Sequence, residues 1–239
     1  MEGTRLHATP AIPIDIGHLQ LLSQINRANR RESDELLKAH LDDLRLLGTA
    51  LSAIYQAATC HRKCWATGHV LEIIGGRIYN LACAAYSLIC IGFYDEALNL
   101  TRSIGEAANL VSLSTHNKDK FKEWVHSSKE IRLAKFSPAK IRKLIGNEDH
   151  ILMDGDWYAE LCEAVTHITP SVSPNFHADL NRAMCGGAPN ETALAKSLGQ
   201  LTLVVGLVAL FYCRYFEFDD LFQALTERGP HAGDADVKP

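Results

Sequence analysis

Apolar side chains recur every three or four residues along most of this chain, which is the spacing of an amphipathic helix. Between residues 33 and 58 they fall at Leu37, Leu41, Leu44, Leu47, Leu51 and Ile54. No segment of useful length alternates apolar and polar residues as a half-buried strand does. The sequence therefore predicts an all-α fold, a multi-helix bundle of about eight helices.

Capping residues indicate where these helices begin. Ser33, Asp95 and Asn190 are the predicted N-caps, and Ser137 is followed by proline at the first helical position. The expected helices cover residues 17–30, 33–58, 70–91, 95–114, 119–134, 137–144, 157–166 and 190–225. We expect three parts, an N-terminal arm and helix over 1–32, a helical bundle domain over 33–228 and a disordered tail over 229–239.

Composition narrows the class of protein. The 239 residues are 47% hydrophobic, which is enough for one domain with a sizeable core. Two uncharged runs, at 78–94 and 197–213, are each 17 residues long, just under the ~20 that a bilayer span needs. We expect both to be central helices of the bundle, with no membrane contact. Seven cysteines, an odd number, and a start unlike a signal peptide indicate a cytoplasmic protein with reduced thiols.

The segment from 97 to 113 carries only two charged residues, Arg102 and Glu106. A spacing of four puts both on one helix face, among apolar neighbours. An isolated buried charge costs several kcal/mol, so the two side chains form a structural ion pair or line a functional cleft. His167 ends a later helix beside a long loop and is the predicted third member, a general acid or base. The alternative role for His167 is to interact with the dipole of its own helix.

Positive charge is concentrated between residues 118 and 143. Nine basic residues stand against three acidic ones, so this segment carries +6 and the rest of the chain −10. With Trp124 and Phe136 interleaved, such a segment could contact RNA phosphates and bases. The predicted RNA-binding residues are Lys129, Arg132, Lys135, Lys140, Arg142 and Lys143. A solvated helix face, or a surface for an acidic protein partner, fits the same pattern.

A second polar segment reads C-H-R-K-C from Cys60 and reaches His69. Thiolate and imidazole ligands suit zinc, but zinc fingers usually need a second close pair of ligands, which the sequence lacks. We therefore expect no metal and no cofactor. Phosphate-binding glycine loops, nucleophile elbows and metalloprotease helix motifs do not occur.

Several motifs, in order, resemble a group of bacterial all-helical proteins of unknown function. The group has R-x-x-x-E in an apolar helix, a tryptophan in a charged helix, an S-P-x-x-(I/V)-R segment and a later Tyr–Leu–His helix. In this chain these motifs fall at Arg102 with Glu106, Trp124, Ser137 and Pro138 with Arg142, and Tyr158, Leu161 and His167. The resemblance spans roughly residues 80–174 and implies a helical fold.

That group is in turn similar to the HEPN superfamily, many of whose members are metal-independent ribonucleases of toxin–antitoxin and phage-defence systems. Their signature is an arginine that would hold the scissile phosphate, followed after four to six residues by a histidine that would move a proton. Arg62 and His69 match it and are the alternative site, whereas no arginine precedes His167 at that spacing.

The resemblance implies a HEPN-like protein of a bacterial defence or stress system that binds RNA or cleaves it. The alternative is a non-catalytic interaction module, in which Arg102, Glu106 and His167 only stabilise the core and an apolar helix face forms a homodimer. A small-ligand-binding bundle is a third, weaker interpretation. The expected partners are RNA or an acidic protein, together with a second copy of the chain.

Overall fold

The computed structural model describes residues 12–64, 68–167 and 185–228. Its α-helices are α1 (Ile16–Leu36), α2 (Leu41–Ala58), α3 (Val70–Ile89), α4 (Tyr94–His116), α5 (Lys118–His126), α6 (Lys129–Lys135), α7 (Pro138–Ile145), α8 (Gly155–Leu161), α9 (Glu191–Phe216) and α10 (Asp219–Arg228). Single 3-10 turns cover Leu37–His40 and Glu148–His150, and one π-helical turn covers Cys162–Thr166. These ranges contain no strand, so the predicted all-α bundle is confirmed.

The core forms where α2, α3 and α4 pack around α9. One uncharged run lies mostly in α3 and the other in α9, and the buried side chains of α9 include Leu198, Leu201, Val205 and Tyr212. In the described part of the chain, α9 alone is long and apolar enough to cross a membrane, and half of its most apolar stretch is buried inside the bundle. A core helix passes that length test equally well.

A close approach between α3 and α9 explains Gly75. The buried Tyr212 hydroxyl donates a 2.6 Å hydrogen bond to the carbonyl of Leu71. A β-carbon at Gly75 would lie 3.1 Å from that hydroxyl oxygen, tighter than ordinary van der Waals contact. Glycine therefore makes room for the Tyr212 side chain of α9, which bonds to the backbone of α3.

Two of the predicted helix starts are confirmed. Asn190 accepts a hydrogen bond from the amide of Ala193 at 2.9 Å, and Pro138 takes the first position after Ser137. Ser33, by contrast, is buried inside α1, which runs through the predicted boundary between residues 32 and 33. Asp95 lies in the first turn of α4 and does not cap it.

Two predicted helices are each divided in the structure. The expected 119–134 helix ends at His126, and α6 restarts behind Ser128, whose hydroxyl accepts from the amide of Ile131 at 3.4 Å. The last helix breaks at Glu217, which has a left-handed φ of 58°. Residues 1–11 of the predicted arm, 168–184 of the predicted irregular stretch and the predicted tail lie outside the described residues.

Candidate functional site

One face of α4 carries a row of polar side chains that we call the α4 polar row. Its members are Asn99, Arg102, Glu106, Asn109, Ser112 and Asn117. Steps of three or four residues keep the members from Asn99 to Ser112 on neighbouring positions of one helix face, and Asn117 directly follows the end of α4. Other faces of α4 pack against α3 and α9. The polar row is therefore free to hold a different part of the chain.

That part is the segment from 144 to 166, which contains α8. Near the C-terminal end of α4, the Asn117 side chain donates a 3.0 Å hydrogen bond to the carbonyl of Leu144. Near the other end, the Thr166 hydroxyl lies 3.1 Å from Oδ1 of Asn99 and donates to it. Because partner numbers fall as α4 numbers rise, the segment runs antiparallel to α4.

Asn109 makes the densest set of contacts in the row. Only 2% of this residue is exposed, and its amide nitrogen donates to the carbonyl of Met153 at 2.7 Å. Its Oδ1 accepts from the amides of Leu152 and Met153 at 2.9 and 3.1 Å. Asn109 was not among the predicted site residues, although an amide three positions after Glu106 in an apolar stretch is a signal that the sequence offers.

Arg102 and Glu106 form the predicted ion pair, which is the centre of the row. Nη1 of Arg102 also lies 2.9 Å from the hydroxyl of Tyr158 on α8, and that hydroxyl donates to Oε1 of Glu106 at 3.0 Å. We call these three side chains the Arg102 cluster. The Arg102 side chain is only 16% exposed, so these hydrogen-bond partners replace most of the water molecules that would otherwise solvate its guanidinium group.

Electrostatics fixes the protonation of two of the three groups. Burial, the hydrogen bond with Cys162 and the charge of Glu106 raise the pKa of Tyr158 to about 12. Burial opposes the charge on Arg102, but Glu106 and Tyr158 outweigh it, so the pKa of Arg102 lies above its usual value. Both groups keep their protons at neutral pH, which suits a permanent hydrogen-bonded bridge between α4 and α8.

Arg142, predicted to contact RNA, faces this cluster. Its guanidinium carbon lies 4.9 Å from the centre of the Tyr158 ring, on which Arg102 also lies at 5.3 Å. Its Nη1 is buried, with no hydrogen-bond partner among the described residues. Residues from three motifs of the resemblance therefore meet in space: Arg102 with Glu106, Arg142, and Tyr158.

His167, the predicted third member, is exposed directly after the π-helical turn. Its backbone amide donates to the carbonyl of Cys162 at 3.0 Å. Within the described residues, no hydrogen bond joins the His167 side chain to Arg102 or Glu106. The side chain that bridges Arg102 and Glu106 is Tyr158. A catalytic role for His167 stays a prediction.

The alternative pair, Arg62 and His69, contacts two different elements. Arg62 forms a 2.5 Å ion pair with Asp220 of α10 and lies over the ring of Phe218. Nδ1 of His69 lies 3.4 Å from Oε1 of Glu72 in the first turn of α3. A ribonuclease role for this pair also stays a prediction.

The basic segment folds into α5, α6 and α7, which enclose a groove of about 370 Å³. We call it the basic groove, and its lining residues are Lys120, Glu123, Ala134, Lys135, Phe136, Lys140, Lys143 and Leu144. Hydrogen bonds from Lys120 at 2.7 Å and Lys135 at 2.9 Å lower the pKa of Glu123. One carboxylate therefore faces four lysines across an apolar floor.

The other predicted RNA-binding residues are placed differently. Arg132 donates to the carbonyl of Ser127, and Lys140, at the groove, donates to that of Ala134. In the described ranges, four exposed lysines of the segment have neither a carboxylate within ion-pair distance nor the carbonyl contact that Lys140 makes: Lys118, Lys122, Lys129 and Lys143. These ammonium groups remain available for an anionic partner.

Comparison with known proteins adds no relative to this picture: no family model, no curated protein and no solved structure matches the chain. Two arrangements in the described residues bear on function. The α4 polar row holds a segment of the chain in place, and the basic groove offers positive charge to a partner.

Proposed function

We propose that this chain is a HEPN-like helical protein that binds RNA through the basic groove. The observation that carries the proposal is the set of four lysines around that groove, facing the single carboxylate of Glu123. Three short helices hold these lysines on one surface. Ammonium groups in a row attract a phosphate backbone, and the ions released from the nucleic acid supply most of the affinity.

RNA fits this surface better than an acidic protein does. Further exposed lysines lie outside the groove lining, Lys118 and Lys122 on α5 and Lys129 on α6, so the positive charge is not confined to one pocket, as contact with successive phosphates of a strand requires. Phe136, on the groove floor, is only 6% exposed and has little ring surface left for base stacking. Binding through phosphates, with little dependence on base sequence, is therefore expected.

The Arg102 cluster has a structural role in this proposal. Its arginine donates to both Glu106 and Tyr158, so Nη1 would have to leave them before it could hold a phosphate. We therefore propose binding without cleavage by these residues. On the sequence grounds given above, we also propose a cytoplasmic location and a place in a bacterial defence or stress system.

Salt dependence tests the RNA proposal. The logarithm of the association constant for a single-stranded RNA should fall with the logarithm of salt concentration with a slope of about −2, about −0.7 for each of the three net positive charges that four lysines and Glu123 leave in the groove. Replacing Lys140 and Lys143 by glutamine should make this slope shallower by about 1.4. Fluorescence anisotropy of a labelled RNA across a salt series measures both slopes.

A charge-matched control is the double replacement of Lys38 and Arg45, which lie on other helices and pair with Glu35 and Asp42. It should leave the slope unchanged. Equal weakening by both double variants would contradict a localised site, and retention of acidic proteins without RNA would favour the protein partner. Cleavage of the RNA that is lost in His167→Ala would support the ribonuclease prediction instead.

A second function, homodimerisation, is favoured by the N-terminal side of the molecule. A run of large apolar side chains there is exposed: Ile12, Ile14, Ile16, Leu19, Leu22 and Ile25. No Asp, Glu, Lys or Arg occurs from residue 16 to 26. The α1 part of this surface, Ile16 to Ile25, would meet the same part of a second copy without like charges opposing each other, as a two-fold symmetric interface requires, and Asp15 lies at its edge. We propose that α1 pairs with α1 of a second copy.

Replacing Leu19 and Leu22 by aspartate should convert a dimer into a monomer, because two charges would be buried at the interface of each copy. Analytical ultracentrifugation measures the mass in solution. Leu133→Asp is the control, since Leu133 is 71% exposed on α6, away from this surface. A monomeric parent protein, or a dimer that survives both aspartates, would overturn the α1 interface.

A further inference from the structure

The loop between α2 and α3 brings three metal-ligating side chains together. The ligand atoms of Cys60, Cys64 and His69 all lie within 4.8 Å of one another. Sγ of Cys60 is 3.7 Å from Nδ1 of His69. Cys60 lies two residues after the end of α2, and His69 directly precedes α3, so two packed helices fix both ends of the loop.

The observed separation matches a tetrahedral zinc site. Bond lengths of about 2.3 Å to sulfur and about 2.05 Å to nitrogen, at the tetrahedral angle, place the two ligand atoms about 3.6 Å apart. The Cys60–His69 distance of 3.7 Å agrees with this value. The two side chains could therefore hold one ion between them with almost no movement.

A fourth oxygen ligand stands beside them. Glu72 lies in the first turn of α3 and is only 8% exposed. Its Oε1 is 3.4 Å from Nδ1 of His69, close to the ~3.4 Å that zinc-bound nitrogen and oxygen atoms would show at tetrahedral geometry. A carboxylate is seldom buried beside a cysteine-containing loop without a cation to balance its negative charge.

The backbone at this loop is also unusual. Cys60 and His69 have φ angles of 53° and 48°, two of the four non-glycine residues in the left-handed region among those described. Non-glycine residues adopt this region at an energetic cost that other interactions must offset, and ligand clamps are among the places where this happens. Here the two strained residues are two of the three clustered ligands.

We propose that Cys60, Cys64 and His69 bind a Zn²⁺ ion, with the carboxylate of Glu72 at the fourth position. Binding replaces the protons of the two thiols, which are released to solvent, while the imidazole binds in its neutral form. The ion would join the end of α2 to the start of α3. The sequence led us to expect no metal because a second ligand pair was missing, and Glu72 supplies that missing partner from a helix.

Cobalt substitution tests the site in the full-length protein. Metal-free, reduced protein titrated with Co²⁺ should bind about one equivalent and develop the thiolate-to-cobalt absorption and the intense visible bands of tetrahedral cobalt. Zn²⁺ should displace the Co²⁺ and bleach the bands. Absence of these bands, or a Cys60–Cys64 disulfide that persists in the purified protein, would overturn the proposal.

Variants separate this site from incidental thiol binding. Cys60→Ser or Cys64→Ser should abolish the charge-transfer band, and Glu72→Gln should weaken Zn²⁺ binding roughly 10–100-fold. Cys185→Ser, in an exposed segment outside the loop, should change nothing. Circular dichroism checks that each variant is folded. Unchanged cobalt spectra in Cys60→Ser, or equal losses in Cys185→Ser, would contradict the assignment.

Discussion

Replacing Asn109 by alanine should lower the free energy of unfolding by about 3–5 kcal/mol. The change removes one donor and one acceptor, which leaves the amides of Leu152 and Met153 and the carbonyl of Met153 without their partners. A buried polar group left unsatisfied costs about 1–3 kcal/mol, and the site is closed to water. Urea unfolding followed by circular dichroism measures the change.

Two comparisons make this prediction specific. Asn109→Asp keeps an acceptor for the two amides but points a carboxylate oxygen at the carbonyl of Met153, so it should also destabilise the fold. Asn80→Ala, on the exposed side of α3, should change the free energy by less than about 0.5 kcal/mol. An Asn109→Ala protein as stable as Asn80→Ala would show that the contact with the 144–166 segment contributes nothing.

The second large effect concerns Arg102. Arg102→Met should cost about 2–3 kcal/mol, because Glu106 loses its cation and keeps only Tyr158 as a partner in a partly buried site. Since the loss reflects an unpaired charge, adding Glu106→Leu should restore much of it. Thermal and urea unfolding of the two single variants and the double variant measure this recovery.

A catalytic cluster would behave differently. Active-site charges are often held at a cost to stability, so their removal would leave stability unchanged or raise it while activity disappeared. Arg77→Met, at an exposed arginine of α3, is the matched control and should have little effect. Stability of Arg102→Met equal to that control would contradict the structural role.

The pairing of Arg102 with Glu106 could be predicted from the sequence, because a spacing of four on a helix is a local property. The third member of the Arg102 cluster could not be predicted, because it depends on which distant segment of the chain lies against α4. The prediction chose His167 for its chemistry and its place beside a loop. The structure shows Tyr158, whose place is set by the hydrogen bonds that hold the 144–166 segment along the whole α4 polar row.

Helix boundaries show the same division between local and distant causes. The N-cap at Asn190 was predictable because the capping hydrogen bond joins two residues that are only three positions apart in the sequence. Serine is a residue type that favours the N-cap position, but Ser33 is buried inside α1, because tertiary packing outweighed this local preference. The residue types of the proposed zinc ligands could be recognised in the sequence. Their closeness in space depends on the left-handed backbone at Cys60 and His69, which hydrophobic periodicity does not encode.

The most direct test of the account is the coupling energy between Arg102 and Tyr158, from unfolding of Arg102→Met, Tyr158→Phe and the double variant. A 2.9 Å contact between these side chains joins α4 to α8. We therefore expect the sum of the stability losses in the two single variants to exceed the loss in the double variant by about 1–2 kcal/mol. Losses that simply add would contradict it, because the two side chains would then act independently.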